Sequence, residues 1–288
     1  MILSLSLSIL KEKPFCIIFP MFTRRLKPIF QSIVRYHHVY LDRYELSSTG
    51  ISLNEFQQRR QSLVNIIRKS SLMTAKDFLI CLPASTRLFM GPDVMYFPFK
   101  QQADFYYFTG CMQPDAMLVL NGNDQQFATH LFLPKLSDEN YERWQGEVIT
   151  DSDQICQLFG VDHVSSMDEL SALKVSSSSI VFYDSQTLEA TAIKKENFHA
   201  FRKKFSALPS FPRLSLYVHA LRAIKSPAEQ NLIRRACQIA SQGLIQTMKN
   251  CPKDTPNESL IQARFQYECQ ILDETCMAFQ PVVAAHGR

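Results

Sequence analysis

Glycine is scarce in this chain, with 8 in 288 residues, and there is a single tryptophan. So few glycines leave no G-x-S-x-G elbow, no phosphate-cradling loop and no dinucleotide glycine pattern, which removes the commonest nucleophile and nucleotide signatures. No Cys-x-x-Cys pair occurs among the eight cysteines (Cys16, Cys81, Cys111, Cys156, Cys237, Cys251, Cys269, Cys276), so zinc-ligand spacing is absent. The chain is also too long and too cysteine-poor for a disulfide scaffold, and its thiols read as small buried hydrophobes in a reducing compartment. Charge is sparse once the leader is set aside. Residues 1–41 hold six Lys/Arg against Glu12 alone, while the whole chain is only +4. The near-neutral body argues against a nucleic-acid groove or a polybasic membrane face. Long hydrophobic runs are missing too: Met1–Leu10 has no positive flank before it, is stopped by Lys11–Pro14, and is too short to span a bilayer.

What is present is the 46% hydrophobic, 20% charged balance of a globular protein, at a length that suits one large or two medium domains. From Met21 to Tyr40 the chain is basic, acid-free and interleaved with apolar residues, a pattern that fits a mitochondrial transit peptide or a basic tail, with Met21 as a possible start. The body reads as α/β. Phe56, Leu63, Val64 and Ile67 share one helical face, with Arg59, Arg60 and Arg68 assigned largely outside it. Asp77–Leu82 is a short apolar strand ended by Pro83. Met117–Leu120 and Phe127–Leu133 flank an Asn121-Gly122 hairpin signal. Asp151–Phe159 and Met167–Leu173 are expected to be short helices, Ile180–Tyr183 a strand, and Glu189–Phe205 an amphipathic helix. Strands separated by helices predict a mixed or parallel sheet with helices on its faces. A boundary falls near Pro209–Leu214, dividing the chain into a leader (1–50), an α/β domain (51–212) and a helical segment (213–288). In that last segment Ser226-Pro227-Ala228-Glu229 and Thr255-Pro256-Asn257-Glu258 predict two capped helices, over 221–249 and 256–272.

The stretch Phe99–Leu120, FKQQADFYYFTGCMQPDAMLVL, is the most distinctive. Treated as a strand, its four successive aromatics point alternately to two sides, so part of that surface must meet a second element, a subunit or a ligand. The block resembles the signature of the amino-terminal domain of aminopeptidase P, the Xaa-Pro aminopeptidases of peptidase family M24. Four further blocks stand in the family's order: ISLNEFQQRRQSLV (Ile51–Val64), ENYERWQG (Glu139–Gly146), LRAIKSPAEQNLIRRA (Leu221–Ala236) and PVVAAHGR (Pro281–Arg288). The last departs from the family at Ala285 and His286, where relatives carry small residues.

The resemblance implies an amino-terminal domain with a ribonuclease H-like mixed sheet, followed by the start of a pita-bread catalytic domain. It implies removal of an amino-terminal residue that precedes proline, by water activated between two manganese ions. The implied ligands, two Asp, two Glu and one His, lie beyond the segment matched by Pro281–Ala284, so no catalytic or metal residue is assigned in this chain. His37 and His38 sit in the leader, while His130, His163, His199 and His219 stand singly without paired carboxylates at ligand spacing, and each reads as a surface or core histidine. His286 sits at a position of divergence and is not the family's catalytic histidine. The one candidate substrate residue is Tyr106, which matches a family aromatic that projects toward a neighbouring subunit's active site; core packing is the competing reading. Homo-oligomers, peptides with proline second and a mitochondrial (alternatively cytoplasmic) location complete the expectations, with no nucleic-acid or membrane partner. Three readings stay open: part of a manganese Xaa-Pro aminopeptidase that is inactive as it stands, a non-catalytic short form acting in oligomerisation or regulation, and a prolidase-type relative.

Overall fold

Ser52 starts the first helix, α1 (Leu53–Arg68), with its hydroxyl accepting from the Glu55 amide at 3.2 Å. The computed structural model describes residues 49–70, 77–87, 99–135, 151–184, 203, 205, 208–211, 213–251, 257–272, 277–279 and 281–284. Phe56, Leu63, Val64 and Ile67 of α1 are fully buried, as their spacing predicts. Each such side chain contributes about 1.5–3 kcal/mol of transfer free energy. Arg59 and Arg60 correct the sequence reading, because they are 7% and 2% exposed rather than on the solvent face. The helical period explains it. Three and four residues after Phe56 lie on the Phe56 face whatever their chemistry.

The strands are β1 (Asp77–Pro83), β2 (Met117–Asn123), β3 (Phe127–Leu133), β4 (His163–Ser166), β5 (Ile180–Phe182) and β6 (Ser210–Phe211). They form one mixed sheet in the order β4-β3-β2-β1-β5-β6. β2 pairs antiparallel with β1 and β3, while β4, β5 and β6 join parallel to β3, β1 and β5. The expected adjacency of Met117–Leu120 and Phe127–Leu133 therefore holds. The turn sits later than expected: Asn121 and Gly122 are strand residues opposite Ala128 and Phe127. The reversal is instead made by Asn123, whose side-chain oxygen accepts from the Gln125 and Gln126 amides. Gly122 is needed for approach, since a Cβ there would come within 2.4 Å of Phe127 Cβ.

Alternate residues of the strands feed two cores. Phe78, Ile80, Leu82, Leu118, Leu120, Leu131 and Phe182 face α1 and the helices α2 (Ala103–Thr109), α3 (Ser152–Phe159) and α4 (Ser215–Ala223). Leu79, Cys81, Val119, Phe132 and Val181 face the 3₁₀ turn Met167–Ala172 and Phe205. The predicted Glu189–Phe205 helix lies almost wholly outside the described residues, as do the leader to residue 48 and the Trp144 block.

The aromatic block is α2, not a strand. Gln102 caps it by accepting from the Phe105 amide at 2.7 Å, and Gly110 ends it at φ 67° with its amide on the Tyr106 carbonyl. Phe105 and Phe108, three apart, are buried together; Tyr106 and Tyr107 share the half-buried side. A strand would have paired Phe105 with Tyr107 instead.

The helical segment also departs in detail from the sequence reading. Leu221–Ala223 ends α4, and α5 (Pro227–Lys249) begins anew after an extended Ile224. Its Ser226–Glu229 capping box is formed in both directions, at 3.2 and 2.9 Å. The next helix, α6 (Glu258–Gln270), is capped by Asn257 rather than Thr255. Helices α5 and α6 pack at Gly243, where a Cβ would come within 2.7 Å of Cys269 Sγ. The apolar stripe of α5 is only partly covered: Ile233, Leu244 and Met248 are exposed.

Two stability outcomes follow from this packing. Arg60 donates to the Phe108 carbonyl at 2.7 Å and to the Phe159 and Gly160 carbonyls, the ends of α2 and α3. Replacing it with methionine keeps the stem but strands those acceptors, and a loss of about 3 kcal/mol in urea unfolding is expected. Gly243→Ala sets a helix-propensity gain of roughly 1 kcal/mol against overpacking of roughly 1–3 kcal/mol. A net loss in the urea midpoint is expected, and a smaller one when Gly243→Ala is made in a Cys269→Ala background, which removes the opposing sulfur.

Candidate functional site

Charged residues missed or undervalued in the sequence converge where α1, α2, α4 and the start of α5 meet. Arg59 is the hub. Its guanidinium pairs with Glu55 at 2.5 Å and Glu229 at 3.4 Å, donates to the Tyr107 carbonyl at 3.0 Å, and lies 4.1 Å from the Tyr107 ring centroid. Arg222, from the last turn of α4, pairs with Asp104 and stands 5.9 Å from the same centroid. Glu229 thus has two tasks: it caps α5 and it neutralises Arg59. Burial is what raises the Tyr107 hydroxyl pKa most, opposed by the charge of Arg59. Glu55 could have been found from its four-residue spacing to Arg59, but Asp104 and Arg222 are 118 residues apart and carry no local signal.

Asp104 also helps line a small cleft at the ends of β1 and β5, together with Asp184, Gln102 and Leu214. Its carboxylate is committed to Arg222, so the cleft offers no free general acid or base from that residue.

One residue along α1 from the hub, Arg60 occupies a drier place. Burial pushes its pKa down to about 10, against the pull of Asp162. Asp162 accepts from the Thr129 amide at 2.7 Å and so clamps the loop before β4 to β3. That clamp brings together two histidines that stand apart in the sequence. His130 and His163 are register partners on β3 and β4, with ring centroids 4.5 Å apart. Burial lowers the His130 pKa most, the neighbouring His163 lowers it further, and Asp162 opposes. The reading of these histidines as single residues is therefore corrected. Their 33-residue separation hides the pairing.

Tyr106, the sequence candidate, is half-buried on α2, beside Tyr107 but outside the contacts described for the hub. His286 lies outside the described residues. Among those residues no group of three or more His, Cys, Asp or Glu side chains converges on a point. Glu268, a carboxylate near the carboxy terminus, is committed to Arg264 at 2.5 Å. No helix of the described residues is long and apolar enough to cross a membrane.

Residues 56–179 match the family model described as aminopeptidase P, N-terminal domain. The chain belongs to the aminopeptidase P family. Over 237 residues it is 32% identical to a protein of Arabidopsis thaliana named mitochondrial intermediate cleaving peptidase 55, covering 81% of this chain and 44% of that one. It is 27% identical over 260 residues to human Xaa-Pro aminopeptidase 3, covering 87% and 50%. The chain spans about half the length of these curated relatives. Escherichia coli aminopeptidase P with the inhibitor Pro-Leu superposes with a TM-score of 0.62 at 25% identity, covering 77% of this chain and 50% of that one. A zinc-substituted form of the same bacterial enzyme, in complex with product, gives the same TM-score at 24% identity. The mixed sheet with flanking helices is the aminopeptidase P amino-terminal fold.

The histidine pair generates a pH-dependent outcome. A folded-state pKa below the unfolded value means that the unfolded chain binds more protons as pH falls, so stability held above about pH 6.5 is lost on acidification. In urea titrations His130→Gln should flatten the fall in midpoint between about pH 7 and pH 5 relative to the parent chain.

Proposed function

We propose that this chain is a portion of a metal-dependent aminopeptidase that removes an amino-terminal residue preceding proline, acting in mitochondria. The observation that carries this is the family match over the sheet body together with relatives named for that activity. Mitochondrial placement is supported by the name of the Arabidopsis relative and by the basic, acid-free Met21–Tyr40 segment. We divide the chain at 212/213, with the α/β domain before it and the opening helices of the catalytic domain after it. Homo-oligomers and the substrate-facing role of Tyr106 belong to the same proposal.

The implied metal is a dinuclear centre, taken to be manganese. The described residues do not fit it. Two cations held together need several bridging carboxylates and a histidine, oriented by further partners, and no such donor set converges among the described residues. No catalytic step is therefore assigned to a side chain of this structure. The α/β body's part in the reading is to carry α2 and its half-buried tyrosines and to fix the start of α5.

A second reading changes only the substrate. The Arabidopsis relative is named for cleaving intermediates, a name that makes no mention of proline. Parallel assays of one peptide with proline second and one without separate the two readings in a protein that extends beyond Arg288. For the 288-residue chain itself, added manganese should give no turnover of either peptide above background. Turnover abolished by chelation and restored by metal would overturn the proposal that this chain is inactive alone.

A further inference from the structure

Between α4 and α5 the chain makes a short extended link at Ile224-Lys225, with Ile224 82% exposed. Such a link has no packing of its own to fix the angle at which α5 leaves. In the main core, α5 is represented only by the half-buried Ala228 and Leu232. Its buried Gly243 is turned toward Cys269 of α6. The polar contacts on either side of the link are stronger candidates, and both lead to one ring. Before the link, Arg222 is tied to Asp104 and stands 5.9 Å from the Tyr107 centroid. After it, Glu229 reaches Arg59 at 3.4 Å, and Arg59 lies 4.1 Å from that centroid. Two guanidinium groups around one ring would repel each other if bare, but Asp104, Glu55 and Glu229 supply counter-charge.

We propose that Tyr107, with Arg59 and Arg222 beside its ring, is a latch that acts through the Arg59–Glu229 contact to hold the first turns of α5 on the α/β body, and that releasing it lets those turns open beside the Ile224-Lys225 link. The physical case is one of scale. A partly buried cation–π contact and a partly exposed ion pair are each modest, so the latch is reversible. Arg222 is its most exposed charge, whereas Arg59 is buried, so salt reaches the Arg222–Asp104 pair more readily than the Arg59–Glu229 pair. The cores beneath the sheet are apolar and salt leaves them in place. The inference rests on these contacts and not on any catalytic activity, so it stands or falls apart from the functional proposal.

Hydrogen exchange on the full chain, read by mass spectrometry, tests it. Peptides covering 227–235 report the latch, and peptides covering β1–β3 report the body. Tyr107→Leu keeps apolar bulk and removes the ring quadrupole. Glu229→Gln removes the negative charge that faces Arg59 and keeps an acceptor for the Ser226 amide. Both should raise exchange in the first two turns of α5 by roughly tenfold and leave β1–β3 unchanged. Tyr107→Phe keeps the ring and should match the parent chain. Unchanged exchange in α5 of both variants would overturn the latch. An equal rise in α5 and in β1–β3 would overturn it as well, by making the seam part of general stability. Tyr107→Phe behaving like Tyr107→Leu would assign the effect to the hydroxyl and overturn the ring's role.

Discussion

The Arg60 guanidinium meets the carbonyl ends of two helices, and much of the body's geometry depends on that meeting. The last carbonyls of a helix lack intrahelical partners and carry the negative end of its dipole. α2 and α3 both end against α1, where water is excluded, so something fixed and positive must stand there. Arg60 does so by donating to Phe108, Phe159 and Gly160. Lysine, a point charge on a flexible stem, would not hold acceptors on two different helices with one planar fork. Burying the charge is costly, as the lowered pKa records. The offset is that α1, α2 and α3 are held at one spacing over the sheet.

Arg59 is the next residue back, and its different environment gives it a different task. Arg60 turns to backbone oxygens, which carry no net charge. Arg59 turns to Glu55, Glu229 and the Tyr107 ring. Two arginines in sequence thus divide the polar surface of α1: one locks the helices of the body, the other joins the body to the helical segment that follows.

Much of the fold was legible because it rests on local apolar signals. β1, β2 and β3 are short hydrophobic runs between turn residues, and Ser226–Glu229 names its helix start in four letters. The candidate site was less legible, for three separate reasons. Arg59 and Arg60 were assigned to solvent by their charge, although their spacing from Phe56 placed them inward. The aromatic block was treated with a period of two because its apolar residues are continuous; a glutamine cap and Gly110 decide for a helix of two turns. His130 with His163, and Asp104 with Arg222, come together only through sheet register and helix packing, which no single stretch encodes. The family block points to Tyr106 and carries no signal for its neighbour Tyr107, beside whose ring Arg59 and Arg222 stand.

The contrast between the two arginines bears on how such a chain can be joined to more protein. A contact between a buried charge and backbone carbonyls has nothing to exchange for, because water cannot reach the acceptors; it persists in any context that leaves the core intact. A contact that includes a partly exposed charge is different. Glu229 is 20% exposed and has water as an alternative to the buried Arg59, so a competing surface can replace it. The body is fixed by the first kind of contact, and the start of α5 is held largely by the second. The curated relatives are about twice as long as this chain and so carry further chain. An attachment through such a contact can adjust to that further chain without disturbing the sheet, provided the two arginines reach different partners. Arg59 and Arg60 both lie on the inward side of α1, but one helical step turns a side chain by about 100°, so one reaches the start of α5 and the other the ends of α2 and α3.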